Sequence, residues 1–142
     1  MNEITKICSF MGLMIASAPL LAADFDGSKP ILCASLDVLE CVDGRGCDMV
    51  AAEDVDAPQF IYVDLKHNKL QLDRSGQPQS AELRNRESLN GRLVLQGVGT
   101  ESGLGWTFSV NEETGRFVVS ASGDEVAFII FGACTTLPTP GD

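Results

Sequence analysis

The chain has 142 residues, 20 Asp and Glu against 10 Lys and Arg, and a formal net charge of −10. A chain of this length encloses one hydrophobic core and needs no second domain. The acidic excess excludes nucleic acid and anionic lipid surfaces as partners, because holding phosphates takes clustered Lys and Arg. It leaves cationic proteins and metal ions as electrostatic partners, beside the plain reading that the charge keeps the protein soluble.

Lys6 is the only basic residue before an uncharged, mostly apolar run over 7–23, which ends Leu20-Leu21-Ala22-Ala23 ahead of Asp24-Phe25-Asp26. A charged start, an apolar middle and small residues at the end are the layout of a secretory signal. The run is interrupted by Gly12 and Pro19 and is short for a membrane span of about 20 residues. Residues 1–23 are therefore expected to be removed, and the mature form not to span a membrane. The boundary is imperfect, since Leu20 or Leu21 stands where a small residue is preferred, and Cys8 lies too early to carry a lipid after cleavage. The mature protein is expected in the periplasm or secreted, as a single β domain over 24–136 with a disordered tail over 137–142.

Beyond Asp24 the chain alternates apolar and polar residues in short runs separated by Gly, Asn and Asp, the pattern of strands joined by tight turns. Eight strands are predicted: 31–41, 59–65, 69–73, 80–84, 92–97, 104–110, 116–122 and 125–133. The clearest hairpin joins Trp106, Phe108 and Val110 to Phe117, Val119 and Ala121 across Asn111-Glu112-Glu113-Thr114-Gly115. A second joins Ile61, Val63 and Leu65 to Leu70 and Leu72 near His67-Asn68. Between Asp48 and Asp56 strand chemistry is missing and Pro58 stops any helix, so a loop or one short helix is expected. The fold class is all-β: an antiparallel up-and-down meander of about eight strands that closes as a small barrel, which removes its open edges.

Four of the five cysteines lie in the mature domain, Cys33, Cys41, Cys47 and Cys134. An even number in an exported chain points to disulfides, with three connectivities available. Zinc calls for close pairs such as C-x-x-C, which are absent. In a meander closing on itself the first and last strands are neighbours, which favours Cys33 with Cys134. Cys41 and Cys47 bracket Val42-Asp43-Gly44-Arg45-Gly46, whose glycines permit the reversal that would join them.

The C-x7-C-x5-C spacing of Cys33, Cys41 and Cys47, the turns at Gly91-Arg92-Leu93 and Thr114-Gly115, and the closing Phe131-Gly132-Ala133-Cys134-Thr135 resemble small exported proteins of Gram-negative bacteria to which no activity is assigned. The resemblance spans most of the mature domain and implies compartment and fold, with no chemistry to carry over. Gly103-Leu104-Gly105-Trp106 is similar to the G-x-W of lipocalins. Theirs lies on the first strand and this one on about the sixth, so that likeness is architectural.

Catalytic signatures are sparse. The single histidine, His67, sits between Lys66 and Asn68 at a hairpin tip, whereas a general base needs an orienting carboxylate and a nearby nucleophile. G-x-S-x-G, H-E-x-x-H and phosphate-cradling glycine loops are missing, and no cofactor motif is present. A pair of carboxylates would suffice for a glycosidase, which keeps a small hydrolase as the remotest reading. Asp43, Asp48, Glu53, Asp54 and Asp56 could offer oxygens to Ca²⁺, but their spacing is not that of an EF-hand and Arg45 intrudes. They form an acidic face that would steer a cationic partner.

Trp106 and Phe108 are core residues or ligand contacts on one strand face. The last strand is apolar on both faces, so one of them must meet a covering loop, a second copy or a bound molecule. The function expected from the sequence is a non-catalytic binding or interaction module. One form takes a small apolar ligand in the barrel; the other is an inhibitor or accessory factor that binds a cationic envelope protein through the acidic face. Small disulfide-bonded periplasmic lysozyme inhibitors have a similar size and charge, although their loop motifs are absent here. An apolar cavity above about 300 Å³ would favour the first form, and a filled interior with an exposed carboxylate patch the second.

Overall fold

The computed structural model describes residues 24–138; the expected signal 1–23 and the tail residues 139–142 lie outside the described residues. Alternation of apolar and polar side chains does produce strands. Among the described residues there are β1 (Ile31–Val42), β2 (Gly46–Val50), β3 (Phe60–Asp64), β4 (Lys69–Arg74), β5 (Gln77–Ser80), β6 (Glu82–Leu89), β7 (Arg92–Val98), β8 (Gly105–Asn111), β9 (Arg116–Ser122) and β10 (Val126–Thr136). A single 3₁₀ turn, Ala52–Val55, links β2 to β3. Two strands exceed the sequence reading. Residues 46–50 pair with β1 where a loop was expected over part of the segment. The strand predicted over 80–84 is a corner, with β5 ending at Ser80 and β6 starting at Glu82.

All the pairings are antiparallel, in the order β5-β4-β3-β1-β10-β9-β8-β7-β6, with β2 also on β1. β1 is the hinge of this arrangement. Along one side it pairs with β10; along the other it pairs first with β3, through Ile31 to Ala34, and then with β2, through Val38 to Val42. A bulge between Ser35 and Asp37 separates the two stretches. There Ser35 turns to Gln59 and Pro58, donating its N–H to one carbonyl at 2.9 Å and its hydroxyl to the other at 2.6 Å. The first and last strands thus meet as the meander argument requires.

The expected closed barrel does not form. β5 and β6 follow one another in the chain but share no ladder, and the sheet curls into a half-barrel with its seam between them. β5 has four residues, one of them Pro78, which lacks an N–H to donate. β6 is bent by a bulge between Leu83 and Asn85. Isolated contacts take the place of a ladder: Gln79 donates to Glu101 at 3.1 Å, and Arg86 reaches the Leu65 carbonyl at 3.4 Å.

The concave face holds the core, with Ile31, Val63, Leu95, Phe108 and Val110 almost wholly buried. Two cross-strand pairs shape it. Trp106 lies opposite Gly97, and Phe117 opposite Gly132. A Cβ on either glycine would collide with the facing ring, so the missing side chain is what lets each aromatic lie across its neighbouring strand. Phe117 in turn stacks on Phe108, with ring centroids 5.2 Å apart.

One end of the half-barrel is plugged by the segment before β1. Phe25 packs against the core and donates its N–H to Glu112 O at 3.1 Å. Ser88 bonds the Glu112 side chain nearby. At the other terminus Leu137, which begins the expected tail, donates its N–H to Pro30 O at 2.8 Å.

Both disulfides join directly opposed residues, Cys33 to Cys134, as the meander argument favoured, and Cys41 to Cys47, as the glycine-bearing turn between them favoured. The Cys134 N–H turns away to Gly115 O. Cys33 and Cys134 are therefore a non-hydrogen-bonded pair, the position where facing side chains come closest.

Candidate functional site

At the end opposite the Phe25 plug, inward side chains of β3, β4, β8, β9 and β10 meet Pro58, Ala81 and the β7–β8 loop around a cavity of about 70 Å³. Ile61, Leu70, Leu72, Phe108, Val119 and Ile130 make most of its wall. Alternation explains this: each lies on the strand face that also carries the core. The loop roof is built by Gly99, Ser102 and Leu104, tightened by N–H bonds from Gly99 to Leu104 O and from Gly103 to Gly99 O, both 2.9 Å. Thr100 and Glu101 tie this loop to Ser80 and Gln79 across the seam.

Three polar side chains, Arg74, Ser102 and Trp106, interrupt the apolar lining, and two of them have a buried nitrogen without a hydrogen-bond partner: Nε of Arg74 and Nε1 of Trp106. Arg74 closes β4, and its Nη1 donates to Asp56 Oδ2 at 3.0 Å. Asp56 reaches that position because it ends the 3₁₀ turn in the left-handed conformation, φ 52°, which aspartate tolerates better than most residues. Trp106 is placed by Gly97, as above. A buried donor left without an acceptor costs about 1–3 kcal/mol, and neither nitrogen is open to a water molecule.

The sequence singled out Trp106 and Phe108, and both line the cavity. Phe108 is 2% exposed and belongs to the core. Of the acidic residues, Asp43 lies in the β1–β2 turn, Asp48 on β2, Glu53 and Asp54 in the 3₁₀ turn and Asp56 just after it, all of them exposed. Only Asp56 has a connection to the cavity, through Arg74. Glu53 accepts from Gln59 at 2.9 Å. Among the described residues no three His, Cys, Asp or Glu side chains gather as a metal site would need, so the Ca²⁺ reading gains no support. No helix among them is long and apolar enough to cross a membrane. On the strand read as apolar on both faces, Ile130 is buried and Phe131 is 42% exposed; the cover expected for the second face is not seen among the described residues.

His67 is in the turn after β3, its ring 70% exposed, but it is not a free turn residue. Its Nδ1 lies 2.7 Å from Asp64 Oδ2, and its N–H donates to Asp64 Oδ1 at 3.2 Å. The Asp64 side chain is 8% exposed. The hydrogen bond from the His67 ring, more than any other influence, holds the Asp64 carboxyl below its ordinary range, against the opposing effect of burial. Tyr62, whose hydroxyl donates to Asp64 at 3.4 Å, is pushed up by burial first and by the carboxylate charge second. The hydrogen bonds of His67 all go to Asp64, with no hydroxyl or thiol among the partners; the pair fixes the hairpin turn.

Arg74 and Asp64 were missed by sequence reasoning. Each stands at the end of a strand beside a turn, where charged residues are ordinarily solvated, and their burial comes from segments distant in the chain. No family model and no curated protein matches this chain. The fold and the cavity together define an all-β, disulfide-bonded half-barrel with a small, mostly apolar pocket at the end away from Phe25.

Proposed function

We propose that this protein is an exported, non-catalytic binding module that receives a small apolar ligand, or the tip of a larger one, at the open end of its half-barrel. The observation that carries this reading is the cavity itself: an apolar chamber at the unplugged end, walled by core residues and carrying Trp106. Its volume of about 70 Å³ is roughly half that of an engineered cavity which admits benzene, and well under the ~300 Å³ of drug-sized sites. The cavity falls short of the size expected of a barrel ligand site, which counts toward the acidic-face reading, and a ligand group inside it is limited to a few heavy atoms. The two disulfides support an oxidising compartment, and removal of 1–23 on the way to the periplasm or medium belongs to the same proposal.

Trp106 is the only tryptophan of the chain, so its fluorescence reports on the cavity alone. Small apolar fragments should shift that emission saturably, and Ala121→Val, which narrows the wall, should abolish the shift while lowering the stability by no more than about 1–3 kcal/mol. Binding that survives in a folded Ala121→Val protein would refute the reading.

A second reading, an inhibitor or accessory protein for a cationic envelope protein, is supported by the exposure of Asp43, Asp48, Glu53, Asp54 and Asp56. Charge reversal at Asp43, Asp48 and Asp54 would separate the two readings. It should leave fragment binding intact and would weaken only a cationic partner.

A further inference from the structure

We infer that the face of the sheet turned away from the core carries a second site, for a small monocarboxylate whose apolar chain lies over Val118, Phe131 and Leu36 and whose carboxylate is held by Arg92 and Arg116. The site shares no lining residue with the cavity and does not rest on the reading of it.

The strands place both halves. Leu93, Val110 and Phe117 are buried, so their neighbours Arg92, Asn111 and Arg116 project from the opposite face. Arg92 pairs directly with Asn111, and Arg116 stands one residue beyond the Val110–Phe117 pair. The three therefore form one row across β7, β8 and β9, with an arginine about 4.8 Å to either side of Asn111. The Asn111 Oδ1 accepts the N–H groups of Glu113 and Thr114, at 3.0 and 2.8 Å, which leaves its Nδ2 as a donor between the two arginines. The next row of the same face runs through Ser109, Val118, Phe131 and Asp37. Val118 is 38% and Phe131 42% exposed, and Leu36, the extra residue of the β1 bulge, is 71% exposed. Both rows border one groove of about 440 Å³, within the ~300–1,000 Å³ range of small-molecule sites.

Charge selects the occupant. Among the described residues the ion pairs are those of His67, Arg74 and Arg84, so neither Arg92 nor Arg116 is neutralised. Asp37 is the third charged residue of the lining, and the groove keeps a net single positive charge. A carboxylate balances it, whereas a phosphate dianion would leave a negative charge over beside Asp37. The remaining acidic surface acts weakly there, because exposed charges are screened beyond about 8 Å at physiological ionic strength. Carboxylate and guanidinium also match in shape, two oxygens to two N–H groups. Two strand spacings, about 10 Å, part Arg116 on β9 from the bulge on β1, a distance that a medium-length alkyl chain covers.

Octanoate and 1-octanol, equal in chain and different in charge, decide this. With ¹³C- and ¹⁵N-labelled exported protein at neutral pH, octanoate should move the Leu36 and Val118 methyls and the Arg92 and Arg116 Nε–H resonances, and leave the Leu70 and Leu72 methyls of the cavity in place. It should bind at least about tenfold more tightly than octanol, as charge-assisted hydrogen bonds to two arginines require, and added salt should weaken octanoate alone. Replacing both residues, Arg92→Gln with Arg116→Gln, should abolish the preference and leave octanol binding unchanged. Both are exposed, where substitutions disturb folding little.

Equal affinity for the two probes, or a preference that survives the double replacement, would overturn the inference. Methyl shifts confined to Leu70 and Leu72 would overturn it while supporting the cavity reading. A dimer that Phe131→Asp dissociates would give this face to a second copy and overturn it as well.

Discussion

Replacing Cys33 and Cys134 together by alanine should destabilise this protein about twice as much as replacing Cys41 and Cys47. The two bonds span 101 and 6 residues of sequence. In the chain-entropy model a cross-link stabilises by restricting the unfolded chain, which gives about 4.7 kcal/mol for the long loop and about 2 for the short one. The structure widens the gap. Cys33 is 0% exposed, so its truncation also leaves a void beneath β1, whereas Cys47 is exposed and its loss leaves none. With a urea slope of about 2 kcal/mol/M, the midpoint should fall by about 2.3 M for the first double variant and about 1 M for the second, measured by far-ultraviolet circular dichroism without reductant. A low concentration of dithiothreitol should open Cys41–Cys47 first, followed by peptide mapping with an alkylating label. Equal midpoints for the two variants, or earlier reduction of Cys33–Cys134, would refute the reasoning, because the long bond would then neither restrict the chain nor lie in the core.

His67→Ala should cost about 1–2 kcal/mol at pH 7 despite the exposed ring, since Asp64 loses its strongest hydrogen bond; a thermal midpoint equal to wild type would contradict this. The His67 hydrogen bond holds the Asp64 carboxyl below its ordinary value in the fold, so its contribution is complete above that ordinary value, about pH 4, and is lost as pH falls through the folded one. The stability gap between wild type and His67→Ala should accordingly narrow below pH 4, and a gap that widens in acid would mean that another group is responsible. Gly97→Ala should cost about 1–3 kcal/mol by overpacking and shift Trp106 emission, because the added Cβ meets the indole and the Glu82 carbonyl; unchanged emission would show that the indole does not cross β7.

Alternation in Trp106, Phe108 and Val110, or in Phe117 and Val119, was enough to determine strands, their inward faces and the hairpin between them, because side-chain direction in a strand has a period of two. The cysteine pairing followed as well, since a meander whose ends meet leaves Cys33 facing Cys134. Whether the two inner edges would also meet lay beyond that pattern. It depends on a four-residue β5 with a proline, a bulge in β6 and a corner at Ala81, and the alternation that marks a strand is the same on a paired edge and a free one. The cavity is likewise a tertiary product. Nothing local distinguishes Arg74 from a solvated strand-end arginine; the 3₁₀ turn brings Asp56 to its Nη1, and the β7–β8 loop roofs the cavity beside Trp106. Periodicity reports which way a side chain points, and burial of a polar atom is decided by whatever distant segment arrives to cover it.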